Sequence, residues 1–221
     1  MRLGCVNRLA ACGAVLGALS CGGGDGGTTP PGPPVDLVKS PAADNQSWYF
    51  NNPLPTALSV TAVDVDGRAV PGVVVTWAVT TSNGGGVNPP QSTTNASGVA
   101  ITADSIGAVT LQNVTATFTG LSGPVTFATH ATTPPTSAAV SVEDNHFNPQ
   151  NSVVQTGGTV TWTWAGANPH TLTFTFGPTP LPANQSAQMS GTAQRTITAV
   201  GTYNYTCTIH ASMSGTVTVV H

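Results

Sequence analysis

Residues Tyr203–Val219 read YNYTCTIHASMSGTVTV. Within this stretch Cys207, His210 and Met213 follow one another at the spacing Cys-x2-His-x2-Met, and segments of alternating polarity lie on both sides. Because alternation of period two is typical of β-strands, the spacing predicts a tight loop between two strands that aims three side chains at one point. A thiolate, an imidazole and a weak thioether form a donor set that suits copper cycling between its two oxidation states. The stretch therefore predicts a copper site in a β-protein.

A copper site of this kind usually takes a second imidazole from elsewhere in the chain. His170, in the segment Asn168-Pro-His-Thr, is the candidate, and its separation from Cys207 leaves room for two or three strands. The fixed φ of Pro169 stiffens the loop that carries it. The remaining histidines are interpreted as surface residues or as residues without a partner by spacing; they are His130, His146 and His221.

Cysteine usage supports a metal ligand at position 207. Three of the four cysteines fall at the N-terminus, so Cys207 stands alone in the rest of the chain. A lone thiol in an exported protein has no partner for an internal disulfide. The alternatives are that Cys207 is a small buried hydrophobe and that Met213 only fills the core. The register of Cys207 with two histidines and Met213 favours the metal site.

The last part of the chain, from Ala138 to His221, resembles the cupredoxin (blue copper) family. Its short ligand loop is most like that of the amicyanin-type members. A second signature lies upstream in the same order as in the family, and reads V-x-V-x-D-x-x-F-x-P, then G-x-x-V-x-W, then P-H-T. The resemblance implies a Greek-key sandwich over residues 138–221 and one type 1 copper, with His170, Cys207, His210 and Met213 as its ligands.

The chain departs from the family pattern at two positions beside the ligands. Thr171 stands where many cupredoxins have an asparagine that ties the two ligand loops together, and Ile209 stands where many have a proline. Such neighbours orient the ligands and tune the reduction potential, so the departures bear on the potential more than on the metal. Upstream, Trp162 and Trp164 are interpreted as one core residue and one half-exposed residue, although strict alternation would put both on one face.

The N-terminal segment is typical of an exported lipoprotein. Residues 1–20 carry two arginines followed by an apolar run that is too short to span a membrane, which predicts a signal peptide. The run ends in Ala-Leu-Ser-Cys21, which resembles a bacterial lipobox and implies lipidation of Cys21; an ordinary cleaved signal near Ser20 is the alternative. Residues 21–34 are rich in glycine and proline and predict a tether. The chain is therefore expected in the periplasm or at the cell surface, lipid-anchored to a membrane.

Residues 35–133 contain about seven short β patterns separated by turns, which predicts a first β-sandwich with Trp77 in its core. The order D-x-x-G-x-x-V-x-G-x-x-V-x-W, then S-G-V-A, then V-T-A-T-F resembles bacterial Ig-like repeats of the invasin/intimin group. This segment is interpreted as a spacer or interaction module. The fold class is therefore predicted to be all-β, with two β-sandwich domains that meet near residues 133–138.

Composition narrows the possible functions. Only 6% of the residues are charged and the formal net charge is −3, with no basic patch that would indicate nucleic acid. The resemblance implies a type 1 copper protein that passes single electrons between extracytoplasmic redox partners. The alternatives are a copper chaperone or buffer and a structural or adhesive surface protein. An enzyme is not expected, because a lone type 1 site has no second metal cluster at which to bind a substrate.

Overall fold

Strands dominate the described part of the chain. The structure, a computed structural model, describes residues 30–221. The predicted signal peptide, Cys21 and most of the predicted tether lie outside these residues. Among the described residues, the helical structure is a 3-10 turn at Pro41–Ala43, and no helix has the length and apolar character needed to cross a membrane. The prediction of an all-β fold is confirmed.

The segment of residues 35–133, here called the N-terminal half, contains nine strands. They are β1 Asp36–Lys39, β2 Gln46–Tyr49, β3 Leu58–Val63, β4 Val74–Val79, β5 Gly86–Asn88, β6 Gln91–Thr93, β7 Val99–Ser105, β8 Leu111–Thr117 and β9 Val125–Thr132. The strands form two sheets, in the orders β1-β3-β7-β5 and β2-β9-β8-β4-β6. The sequence predicted about seven strands; β5 and β6 have three residues each, which is too short to show alternation.

The core of the N-terminal half is formed by the inward-facing residues of both sheets. Trp77 is 2% exposed within this core, as predicted. The backbone N–H of Gly32, in the predicted tether, donates to Oδ2 of Asp64 at 2.8 Å. The chain is therefore held against the strands slightly before Val35. The resemblance of this half to Ig-like repeats stays a prediction.

The segment of residues 138–221, here called the C-terminal half, begins within the tenth strand. The strands are β10 Ser137–Glu143, β11 His146–Asn148, β12 Asn151–Gln155, β13 Gly158–Trp164, β14 His170–Phe176, β15 Gln185–Gln188, β16 Gly191–Ile197, β17 Gly201–Thr206 and β18 Ser214–Val220. They form two sheets, in the orders β11-β10-β13-β16 and β12-β18-β17-β14-β15. Their buried residues form one continuous core cluster, separate from that of the N-terminal half.

Both tryptophans of β13 are buried. Trp162 is fully buried and Trp164 is 5% exposed, so the interpretation of one of them as half-exposed is wrong. Residues two apart on a strand point to the same face, and here that face is the core. The ring of Trp162 packs edge-on against Phe174 and Tyr205, with centroid distances of 5.8 and 5.5 Å.

Threonine hydroxyls pair across neighbouring strands on the outer surface of the C-terminal half. The Oγ1 atoms of Thr159 and Thr196 lie 3.3 Å apart across β13 and β16, and those of Thr202 and Thr218 lie 3.3 Å apart across β17 and β18. Hydrogen-bonded threonine pairs on neighbouring strands stabilise a sheet, as pairs of oppositely charged side chains do in other sheets.

Candidate metal centre

The four predicted ligands lie at one end of the C-terminal half. His170 is the first residue of β14, and Cys207 directly follows β17. β17 and β18 form a hairpin in which Thr206 pairs with Ser214, so the loop of residues 207–213 is closed by the two strands. β14 pairs with β17 through Thr173 and Thr206, which brings His170 next to this loop.

The structure brings His170, Cys207 and His210 together. The Sγ atom of Cys207 lies 3.8 Å from Nδ1 of His170 and 3.6 Å from Nδ1 of His210. The candidate ligand atoms of the three residues all lie within 4.8 Å of one another. His170 and Cys207 are buried, whereas His210 is half-buried. Both imidazoles therefore present the same ring nitrogen to the sulfur.

Met213 closes the loop that carries Cys207 and His210. Its backbone carbonyl accepts hydrogen bonds from the backbone N–H of Cys207 at 3.0 Å and from Oγ1 of Thr206 at 2.8 Å. Ser212, just before it, has a φ of 69°, a left-handed conformation that tightens the turn. The Met213 side chain is 1% exposed and belongs to the same core cluster as Cys207. The loop thus buries the Met213 side chain in the core cluster that also contains Cys207.

The environment of Cys207 favours its thiolate. Burial by itself raises the pKa of the thiol, but hydrogen bonds to the sulfur outweigh this and lower the pKa to about 6. The main donors are the backbone N–H groups of Thr171 and Ile209. The thiolate is the form that binds metals, so the sulfur is ready to act as a ligand at neutral pH.

Thr171 ties the two ligand loops together although it replaces the family's usual asparagine. Its backbone N–H donates to Sγ of Cys207 at 3.5 Å. Its Oγ1 accepts a hydrogen bond from the backbone N–H of Thr208 at 2.8 Å and lies 3.1 Å from the Thr208 hydroxyl. The departure from the family pattern therefore leaves the connection between the loops in place.

We expect Thr171→Val to weaken copper binding by about tenfold, because an outer partner of the ligands is lost while side-chain volume is kept. The backbone bond to Cys207 remains, so the fold and the thiolate should persist. Competition with a chelator measures the affinity for copper(II). Thr175→Val, on the exposed end of the same strand, is the control and should leave the affinity unchanged. Equal affinities for Thr171→Val and wild type would show that the hydroxyl tie is not needed.

Two further contacts fix His170 and were not found from the sequence. Nε1 of Trp164 donates to the backbone carbonyl of His170 at 2.8 Å, and Nε2 of His170 lies 3.3 Å from Oδ1 of Asp144. Hydrogen bonds from the backbone N–H groups of Asn168 and Ala167, followed by the bond with His170, lower the pKa of Asp144 to about 2. Asp144 is therefore ionised at neutral pH.

The other histidines lie outside this cluster, as predicted. His130, His146 and His221 are exposed, and His146 lies 2.9 Å from a carboxylate oxygen of Glu143. In residues 30–221, one group of three or more His, Cys, Asp or Glu side chains is close enough to share a metal ion. It consists of His170, Cys207 and His210.

The donor set fits copper. Two imidazole nitrogens, one thiolate and a thioether as the weak fourth donor are the ligands of blue-copper sites. Each of these donors is present at one end of the C-terminal half, and the thiolate is favoured there by its hydrogen bonds.

A family model described as copper binding proteins, plastocyanin/azurin family, matches residues 136–220. This range agrees with the span of residues 138–221 over which the sequence resembles cupredoxins. No curated protein matches the chain significantly.

Solved structures similar to the chain cover 37–38% of it. A purple cupredoxin from Nitrosopumilus maritimus is 23% identical over 37% of this chain and 98% of its own, with a TM-score of 0.34. A plastocyanin from Dryopteris crassirhizoma is 25% identical over 37% of this chain and 98% of its own, with a TM-score of 0.31. A reduced amicyanin variant is 28% identical over 38% of this chain and 81% of its own, with a TM-score of 0.30.

The family-model match and the donor set agree with each other. The matched range contains all four donors, and the structure places them at one end of a β-sandwich. Residues 136–220 of this chain therefore match the plastocyanin/azurin family of copper-binding proteins, and within this range His170, Cys207, His210 and Met213 provide the donor set of a type 1 copper site.

Proposed function

We propose that this chain is a one-electron carrier that is tethered to a membrane and exchanges electrons with extracytoplasmic redox proteins. Bound copper supplies the one-electron couple. The observation that carries the proposal is the arrangement of the donors, with the sulfur of Cys207 within 3.8 Å of Nδ1 of both imidazoles.

The protein holds these donors with its own hydrogen bonds. Trp164 fixes the backbone of His170, Thr171 joins the two loops, and the carbonyl of Met213 closes the second loop on Cys207. A donor set fixed in this way has little to rearrange when the charge of the metal changes. Electron transfer is fast when the ligands move little between the two oxidation states of the metal. This rigidity therefore supports an electron carrier rather than a copper-storage protein.

The exposed part of the ligand loop is the candidate route for electrons. His210 is half-buried, and its neighbours Ile209 and Ala211 are exposed, with Ile209 48% exposed. Pro169 beside His170 is exposed as well. The surface around this half-buried ligand is apolar. A partner can therefore approach it closely without the cost of removing water from charged groups. We assign the electron port to His210.

The proposed role is that of a carrier without an enzymatic activity of its own. Residues 30–221 contain one cluster of metal-binding side chains, and all of its members belong to the type 1 donor set. This supports a site that passes electrons on without a second centre for a substrate.

The visible spectrum of the full chain loaded with copper(II) tests this function. A type 1 site gives an intense sulfur-to-copper charge-transfer band, and a redox titration should follow a single one-electron step. NMR line broadening in mixtures of oxidised and reduced protein then measures electron self-exchange. A weak tetragonal spectrum, or self-exchange too slow to broaden the lines, would contradict the proposal.

The proposed tether rests on Cys21 and on the Gly/Pro-rich segment that follows it, most of which lies outside the described residues. We expect Cys21→Ala to move the protein from the membrane fraction to the soluble extracytoplasmic fraction, because the lipid can no longer be attached. Fractionation and mass spectrometry of the mature chain measure this. Cys12→Ala is the matched control and should leave the protein at the membrane. A mature wild-type chain without lipid would rule out the anchor.

Met213 distinguishes electron transfer from copper storage. Met213→Leu removes the soft donor at roughly constant volume. Copper(I) tolerates three-coordinate sulfur and nitrogen, so the oxidised form should lose more stability and the reduction potential should rise. We expect a shift of about one decade in the equilibrium constant, or ~59 mV for one electron, by voltammetry.

The matched control for this prediction is Met189→Leu. Met189 is 57% exposed and lies outside the donor set, so its replacement should leave the potential unchanged. A potential that is also unchanged in Met213→Leu would assign Met213 to core packing. A loss of copper(I) affinity at constant potential would favour a storage protein.

A further inference from the structure

Strand pairing places Asp144 beside the loop that carries His170. β10 and β13 run parallel, with Val142 opposite Trp164. The residues that follow the two strands therefore leave the sheet at the same edge. Asp144 follows β10 and residues 165–169 follow β13, so the carboxylate and the turn before His170 meet at this edge.

The turn before His170 closes around the Asp144 carboxylate. Oδ1 accepts a hydrogen bond from the backbone N–H of Asn168 at 2.9 Å, and Oδ2 accepts one from that of Ala167 at 3.1 Å. Gly166 makes this approach possible, since a Cβ atom there would lie 2.4 Å from Oδ1 and 2.8 Å from the backbone nitrogen of Asp144. The turn thus has a shape that fits this side chain.

The same carboxylate faces the imidazole of His170. Nε2 of His170 lies 3.3 Å from Oδ1 of Asp144, while Nδ1 faces the sulfur of Cys207. An ionised carboxylate only accepts hydrogen bonds, so it requires the proton of a neutral imidazole to be on Nε2. Nδ1 then keeps its lone pair for a metal. A hydrogen bond at the distal nitrogen is the usual way in which proteins set the orientation of a ligating histidine.

We infer that Asp144 is a positioning residue of the copper site, which fixes the Nε2–H form of His170 and makes the oxidised site more stable relative to the reduced one. The inference rests on the proposed one-electron function. Adding one electron to copper(II) gives copper(I) and lowers the charge of the site by one. A nearby anion stabilises the more positive state more strongly. Among the described residues no lysine or arginine forms an ion pair with Asp144, so its charge is not offset there.

The test compares Asp144→Asn with Glu143→Gln. Both changes remove one negative charge from the same turn, but Glu143 pairs with His146 and Asn148 instead of His170. We expect Asp144→Asn to shift the equilibrium between the two oxidation states about tenfold towards copper(I), which is ~59 mV in potential. Its affinity for copper(II) should fall by about 10- to 100-fold. Glu143→Gln should change both quantities much less.

A second measurement does not depend on copper. Nitrogen-15 chemical shifts of the metal-free wild type at pH 8, where histidine is ordinarily neutral, report which ring nitrogen of His170 carries the proton. We expect Nε2–H in the wild type and a mixture of the two forms in Asp144→Asn. If Asp144→Asn does not fold, the wild-type spectrum alone decides.

Either of two results would overturn the inference: equal potential shifts in Asp144→Asn and Glu143→Gln, or an Nδ1–H form in the metal-free wild type. Failure of the proposed function is a separate outcome. It would appear as a wild-type protein without the charge-transfer band, while the nitrogen-15 measurement would still report on the contact between Asp144 and His170.

Discussion

Copper(II) added to Cys207→Ser should give a nearly colourless protein. The colour of a type 1 site comes from charge transfer from the thiolate sulfur to copper(II). A serine hydroxyl stays protonated at neutral pH, so it cannot give this charge-transfer band. Removal of a residue that hydrogen-bonds to a metal ligand lowers metal affinity by up to about 100-fold. Because Cys207 is itself a ligand, its loss should lower the copper affinity by more than this. Absorption spectra and chelator competition measure the two effects.

The control for this prediction is Ser214→Ala, an exposed change at the end of the same loop, which should keep the colour. Cys207 is 3% exposed and serine is slightly smaller, so the fold should survive the exchange. A Cys207→Ser protein that stays intensely coloured would show that the sulfur is not the ligand.

Removal of the Trp162 ring should give the largest loss of stability. Trp162 is fully buried in the core of the C-terminal half, where it contacts Phe174 and Tyr205. Trp-to-Ala changes at such sites cost about 3–5 kcal/mol, because apolar contacts are lost and a cavity remains. We expect Trp162→Ala to lower the free energy of unfolding of the metal-free protein by this amount, as measured by urea denaturation.

Trp48→Ala is the matched control for Trp162→Ala. Trp48 is only partly buried and lies in β2 of the N-terminal half. Its replacement should cost about 1 kcal/mol, in line with the smaller area that it buries. Similar losses for the two variants would contradict the view that Trp162 is a centre of the core. Because Tyr205 lies on β17 just before Cys207, Trp162→Ala should also weaken copper binding.

The donor set could be predicted from the sequence because three of its members share one loop. Cys207, His210 and Met213 follow a strand with clear alternation, so their common direction is a local property of the chain. His170 required a second signature, Pro-His-Thr, at the start of another strand. The structure brings it to the loop through the pairing of β14 with β17.

Asp144 was missed because its role depends on a non-local pairing. Nothing in the sequence states that β10 runs parallel to β13, and only this register brings the carboxylate to His170. The tie made by Thr171 was missed for a different reason. Threonine is shorter than the asparagine that many cupredoxins have at this position, which suggested a weaker connection between the two ligand loops. The hydroxyl of Thr171 nevertheless accepts a hydrogen bond from the backbone N–H of Thr208 in the facing loop.

The paired threonines of the C-terminal half bear on how a partner would find it. From residue 138 to 221 the charged side chains are Glu143, Asp144 and Arg195 alone. A surface of hydroxyl groups produces almost no long-range field, so a redox partner of the proposed kind would not be steered towards the port. Encounters without steering proceed at roughly 10⁵–10⁶ M⁻¹s⁻¹ and change little with ionic strength. Recognition would then depend on contact after collision, and one such protein could serve partners of either sign of charge.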